Sequence, residues 1–223
     1  APKRRMPVTP LAAGHHRLTK DERRYLLKAL RLTDGEKIEV FDGQGFYAIA
    51  TLGGIETAEP YLEISELQEA PKPALELFVA AATPKGDRAD WLVEKVTEIG
   101  AAGLIWIQTE RSVVTPKQGS KKFERWARLA DAAARQSGRV RVPTIKGPLT
   151  LEELAQEKFD YRLVASPIYK ENSLPTSPMK GRALVVIGPE GGFTDHELEQ
   201  LENSGYNLLW LSPHILRTET AAI

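Results

Sequence analysis

"ALVVIGPEGGFTDHELEQL", Ala183 to Leu201, decides how the rest of the chain is read. An apolar run stops at Gly188-Pro189-Glu190-Gly191-Gly192. Thr194, with Glu197 three residues on, then marks a capped helix start. A strand that feeds a glycine turn into a helix places the turn at the carboxyl edge of a sheet, where open α/β folds bind ligands. Three glycines let the backbone approach a ligand closely. The turn is neither G-x-G-x-x-G nor G-x-x-x-x-G-K-[ST], and it carries no lysine. Glu190, in its middle, would repel a pyrophosphate at short range. A carboxylate there suits hydroxyls, amino groups or positive charge. S-adenosylmethionine offers all three, as ribose, ammonium and sulfonium. A plain strand-to-helix turn is the competing reading.

Working outward, strand and helix patterns alternate on both sides of this turn. Residues 75–81, 104–107, 161–165, 183–187 and 208–211 read as strands, with a short one near Val142. Leu92, Val93, Val96 and Ile99 recur at helical spacing before Gly100, and a longer helix runs from Phe123 to near Gly138. Further helices are expected at Leu151–Lys158 and after Thr194. Such alternation predicts an α/β domain with a mostly parallel sheet. Residues 1–67 read differently. "KIEVF" and "GFYAIAT" flank an Asp-Gly turn and predict a hairpin, "YLEISEL" adds a strand, and one helix lies near Asp21–Arg31. The proline-bearing "EAPKPAL" (69–75) reads as a linker. The expected domains are 1–70 and 71–223. The Pro/Ser-rich loop 166–181 is expected to be mobile.

Composition narrows the chemistry. The 223 residues include no cysteine, which excludes disulfides, thiolate metal sites and a cysteine nucleophile. His15, His16, His196 and His214 lack the spacing of a helical metal pair, so no metal is expected. No apolar run reaches membrane-spanning length and no secretory leader is read, so the expected location is cytoplasmic. The zero net charge conceals two basic segments. Residues 1–31 hold nine Lys/Arg against two acids, and residues 115–147 again hold nine against two. This segregation fits one long polyanion-binding track, though solvated helix faces are the bland alternative.

A second constellation, "LSPHILRTETAAI" (211–223), also follows a strand and should reach the same sheet edge. Arg217 and Glu219 flank Thr218. An Arg and a Glu beside a ligand loop can stabilise developing negative charge and orient each other. The competing reading is a surface ion pair at a helix start. Candidate phosphate contacts are Arg4, Arg5 and Arg31 in the first basic segment, Arg135 and Arg139 in "RQSGR", and Arg111 after the strand 104–107. Trp91, Trp106, Trp126 and Trp210 are expected in the core or an interface, and His196 on a helix surface.

Taken together, "IGPEGGFTDHE" and "LSPHILRTETA" resemble the ribosomal RNA small subunit methyltransferase E family, knotted methyltransferases of the SPOUT class. "TPKGDRADWLVEKVTEIGA" (83–101), "ERSVV" (110–114), "AARQSGRVRVP" (133–143) and "ALRLTDGEKIEVFDG" (29–43) agree with it, so the likeness spans nearly the whole chain. The resemblance implies a PUA-like β-barrel at residues 1–70 that binds RNA, and a SPOUT domain with a trefoil knot at 71–223. It implies a homodimer that methylates uridine N3 in small-subunit ribosomal RNA with S-adenosylmethionine. Free RNA or the assembled subunit would be the substrate. The cofactor is expected against Ala165, Ile187, Gly188, Pro189, Glu190, Gly191, Gly192, Leu211, Ser212, Ile215 and Leu216. Arg217 and Glu219 would carry the chemistry, with Glu219 orienting Arg217 or taking the proton. Ser212 and His214 depart from the Gly and Arg usual in the family, and Tyr25 stands where a His is common. Ile223 falls early in the expected last helix, and a helix that short is expected to weaken cofactor and dimer contacts. The alternative reading is a non-catalytic RNA-binding protein on an inert α/β platform. Retention of both C-terminal motifs argues against it.

Overall fold

The computed structural model describes residues 4–167 and 177–223. Much of the expected mobile loop therefore lies outside the described residues. The chain divides into two compact units, Ala1–Lys72 with Ala134–Val142, and Pro73–Ala133 with Pro143–Ile223.

In the first unit, β3 (Lys37–Phe41) and β4 (Phe46–Gly53) form the antiparallel hairpin, with Phe41 opposite Tyr47. The Asp42 carboxylate fixes its turn by accepting from the backbone N–H groups of Gln44, Gly45 and Phe46. Strands β1 (Arg5–Pro7), β2 (Gly14–Arg17) and β5 (Tyr61–Ile64) extend the sheet in the order β1-β3-β4-β5-β2, and β6 (Gln68–Glu69) pairs with β4. Neither β1 nor β2 is foreseen from sequence, because "RMP" and "GHHR" are too short and polar to show a period. Helix α1 (Lys20–Arg24) opens on a Thr19–Glu22 capping box and continues as a π-helical turn, Tyr25–Ala29. That turn buries Leu26 against Met6, Val8, Ile38, Val40, Leu52 and Leu62.

The second unit holds six parallel strands: β7 (Leu75–Ala82), β8 (Gly103–Ile107), β9 (Thr144–Leu149), β10 (Tyr161–Ala165), β11 (Gly181–Ile187) and β12 (Asn207–Leu209). Their order is β12-β10-β11-β7-β8-β9. The sheet is covered on both faces, which is why its strands read as continuous apolar runs. One face buries Ala80, Ile105, Val164, Leu184 and Val186 against Leu151 and Leu154 of α4 (Leu151–Gln156) and Leu201 of α5 (Asp195–Asn203). The other buries Trp106, 4.7 Å from Trp126 of α3 (Lys121–Ser137), together with Leu92, Val93 and Val96 of α2 (Arg88–Ile99). Gly100, at φ 104°, ends α2 as the sequence predicts. Of the four tryptophans, Trp106 and Trp126 are fully buried, Trp210 is partly buried and Trp91 is 42% exposed.

Among the boundaries that differ from expectation, two shape the parallel sheet. The strand placed near Val142 begins at Thr144, after Pro143. It includes Pro148, and both prolines obscure a strand that sits at the sheet edge, where proline is tolerated. The last strand ends at Leu209 rather than Leu211, which frees Trp210 and Leu211 to begin the C-terminal loop.

Candidate active site

Strands β10, β11 and β12 are neighbours, so their carboxyl ends deliver Ala165, Ile187 and the chain after Leu209 to one edge. A cavity of about 380 Å³ opens there. It is lined by Ala165, Ile187, the whole turn Gly188–Gly192, Leu211, Ser212, Ile215 and Leu216. All eleven residues expected to hold the cofactor therefore meet in one place. Ser166, Phe193, His214 and Thr218 join them. Its size falls within the range of small-ligand sites.

The turn is shaped by its neighbours. A Cβ at Gly188 would press on the Phe193 ring at 3.0 Å, and Gly192 adopts φ 69°, a left-handed conformation that favours glycine. Three ties hold the turn. The Thr218 hydroxyl donates to the Gly188 carbonyl at 3.0 Å, anchoring α6 (Thr218–Ala221) to it. Glu197, buried at 6% exposure, accepts from the Thr194 N–H at 2.8 Å as part of the capping box, and from the Glu110 N–H at 2.7 Å. That second bond fastens the loop after β8 to the first turn of α5, the helix that follows the glycine turn. Arg111 completes the set by donating to the Gly191 carbonyl at 2.7 Å.

Arg111 thus braces the glycine turn and lines the cavity, and its side chain stays exposed. Arg5 departs from its expected role as a phosphate contact. It is 4% exposed, its guanidinium is paired with Glu39 at 2.5 Å, and it donates to the Arg139 carbonyl at 2.9 Å, so it has no face left for a phosphate. Arg4 and Arg31 stay exposed, Arg4 paired with Glu36 at 2.5 Å. Arg135 lies over the Tyr25 ring, 5.4 Å from its centroid. Arg139 is half-buried, and burial pushes its guanidinium down from its ordinary value.

Arg217 is exposed at the N-cap of α6, outside the cavity lining, and makes no ion pair among the described residues. Glu219 is buried at 6% exposure and pairs with Arg88 at 3.6 Å. This corrects the expectation that Glu219 orients Arg217. Arg88 also reaches Glu190 at 3.8 Å, so it spans the two C-terminal motifs. Sequence reading missed Arg88 because it opens a helix more than a hundred residues from either partner; only the position of "GDR" at the start of α2 hinted at it. Ser212, one of the departures, caps its own turn by accepting from the His214 N–H at 3.1 Å.

An RNA methyltransferase domain model matches residues 70–223, and an RNA methyltransferase PUA domain model matches 18–64. The chain belongs to the ribosomal RNA small subunit methyltransferase E family. The Bacillus subtilis protein of that name is 33% identical over 222 residues, covering 92% of this chain and 86% of its own. The Synechocystis protein of that name is 32% identical, covering 92% and 69%. The crystal structure of ribosomal RNA small subunit methyltransferase E from Neisseria gonorrhoeae, bound to S-adenosyl methionine, matches with a TM-score of 0.86 and 28% identity, over 99% of this chain and 93% of that one. Membership of family E makes the chain an RNA methyltransferase with a PUA-like unit followed by a SPOUT-type parallel sheet. Among the described residues, no helix is long and apolar enough to cross a membrane, and no group of His, Asp or Glu could hold a metal.

Proposed function

We propose that this chain transfers the methyl group of S-adenosylmethionine to N3 of a uridine in small-subunit ribosomal RNA. The observation that carries the reading is the convergence of three strand ends on one cavity floored by a glycine turn without lysine. That donor set fits the cofactor. Gly188 and Gly192 open the backbone to close approach, apolar Leu211, Ile215 and Leu216 suit an adenine face, and Glu190 supplies an acceptor for hydroxyl or ammonium groups. When bound, the cofactor supplies an electrophilic methyl on a sulfonium. The chain's part is to align a nucleophile with it and exclude water. Uracil N3 carries a proton, and its loss spreads negative charge onto the flanking carbonyl oxygens. The exposed Arg217, next to cavity-lining Thr218, is the cation assigned to that charge.

The chain path includes the trefoil knot that the family resemblance implies; its support is the insertion of β11 between β7 and β10. The working form is a homodimer, supported by Ile215, which is 93% exposed, together with exposed Leu211 and Ile223. Residues 1–70 are assigned to RNA binding and 71–223 to catalysis, with a cytoplasmic location. The test is methylation of protein-free RNA and of assembled small subunits with an isotopically labelled methyl donor, followed by nuclease digestion and mass spectrometry. The expected product is 3-methyluridine. A methyl on ribose or on a base carbon refutes the reading.

A further inference from the structure

Two polar atoms at the ligand edge are buried without a hydrogen-bond partner: Glu219 Oε2 and Thr83 Oγ1. Buried polar atoms are nearly always paired, so such exceptions ask for an explanation. Both belong to segments that adjoin the glycine turn or its strand. Thr83 follows β7, whose Ala81 is registered with Ile187 just before the glycine turn. Glu219 lies on α6, which packs on α2, and α2 begins at Arg88. Arg88 holds the other Glu219 oxygen, Oε1, at 3.6 Å, and holds Glu190 of the glycine turn at 3.8 Å. The result is a buried carboxylate with one oxygen fixed by a cation and the other without a hydrogen-bond partner, one residue from the cavity lining at Thr218. A structural ion pair does not need an unpartnered oxygen. An acceptor for a nucleobase imide N–H does.

We propose that Glu219 Oε2 receives the N3 proton of the acceptor uracil, and that Arg88 is the positioning residue that holds this carboxylate against the glycine turn. The inference rests on the methyltransferase reading above and deepens it by assigning the base. Balance is straightforward. The N3–H electron pair stays on the ring as the proton passes to Glu219, the ring forms the N3–methyl bond, and the methyl–sulfur bond breaks with its pair left on sulfur. The proton then leaves to solvent. The same arrangement favours uracil over cytosine, because neutral cytosine turns an N3 lone pair, not an N–H, toward the carboxylate oxygen and is repelled by it.

The experiment is single-turnover methylation of small subunits across pH, with cofactor affinity from calorimetry and melting temperature measured on each variant. Glu219→Gln keeps the side chain's shape. It should lower the rate about 10²–10⁴-fold, the usual range for a lost general base. Its remaining rate should climb with pH where the wild type levels off, since bulk hydroxide must then ionise the uracil. Cofactor affinity should stay within about threefold, because the base does not touch the cofactor in this reading. Arg88→Met strands the buried Glu219 carboxylate and should lower the melting temperature, but its rate at a temperature where it stays folded should fall as well, and Arg88→Lys should restore part of both. A Glu219→Gln variant at wild-type rate, or one whose rate falls only in step with cofactor affinity, overturns the inference while leaving the proposed function standing. A wild-type methyl found off N3 overturns both.

Discussion

Replacing Glu197 with alanine should loosen the glycine turn and the loop after β8 together. Its carboxylate is 6% exposed and accepts three hydrogen bonds: from Glu110 N–H at 2.7 Å, Thr194 N–H at 2.8 Å and the Thr194 hydroxyl at 3.3 Å. The first two are short bonds to an ionised acceptor, each worth about 1.5–3 kcal/mol. The third is long and counts for little. Alanine leaves both N–H donors without their acceptor, but water can enter the emptied space and recover part of the loss. A destabilisation of about 3 kcal/mol is therefore expected, which for a chain of this size lowers the melting temperature by roughly 6–12 °C. Glutamine should cost less, because its carbonyl oxygen can still serve one of the two N–H groups. Ligand binding should suffer beyond stability, since Glu197 joins two of the segments that line the cavity. The assay is calorimetric unfolding of the three proteins, with cofactor titration at a temperature where all are folded. If alanine and glutamine melt within about 2 °C of the wild type, the buried-acceptor argument is wrong.

Other expectations follow from the same geometry. Arg111→Ala frees the Gly191 carbonyl; because Arg111 is exposed, melting should hardly change, while calorimetry should show cofactor affinity falling roughly fivefold. Arg5→Ala strands the buried Glu39 carboxylate and should cost about 3–5 kcal/mol, read as early melting of the first unit, with the salt dependence of RNA binding unchanged in the still-folded protein. Arg217→Ala should cost roughly 10²–10³ in single-turnover rate with little change in cofactor affinity, and rising pH should recover part of the rate as bulk base ionises the uracil; a near wild-type rate would remove Arg217 from the mechanism. Burial raises the Tyr206 hydroxyl above its ordinary value of 10.0, so the folded state favours the neutral form. The sign follows: stability is intact below about pH 10 and declines as pH rises beyond it, and Tyr206→Phe should flatten that alkaline decline in denaturant titrations.

The sequence by itself determined the local pieces. Period and punctuation marked the β37–53 hairpin through Asp42, the end of α2 at Gly100 and the start of α5 at Thr194, because each depends on contacts within a few residues. It also determined what the glycine turn could not be, since a missing lysine and a central Glu190 are facts of composition. The cavity lining was legible for a related reason: every expected residue ends or follows a strand, and parallel strands that share a sheet end on the same edge. Only tertiary structure decided the rest. Strand β9 hid behind two prolines that an edge position tolerates, and β1 and β2 are too short to carry a period. Arg5 and Arg111 carry the same charge and read alike as phosphate contacts, yet one is buried against Glu39 and the other clamps Gly191. Arg217 and Glu219 are two residues apart, which invited pairing them. The fold instead brings Arg88, distant in sequence, to Glu219, because α2 and α6 pack together. A side chain's partner depends on which elements meet, and that depends on sheet order, which no local pattern encodes.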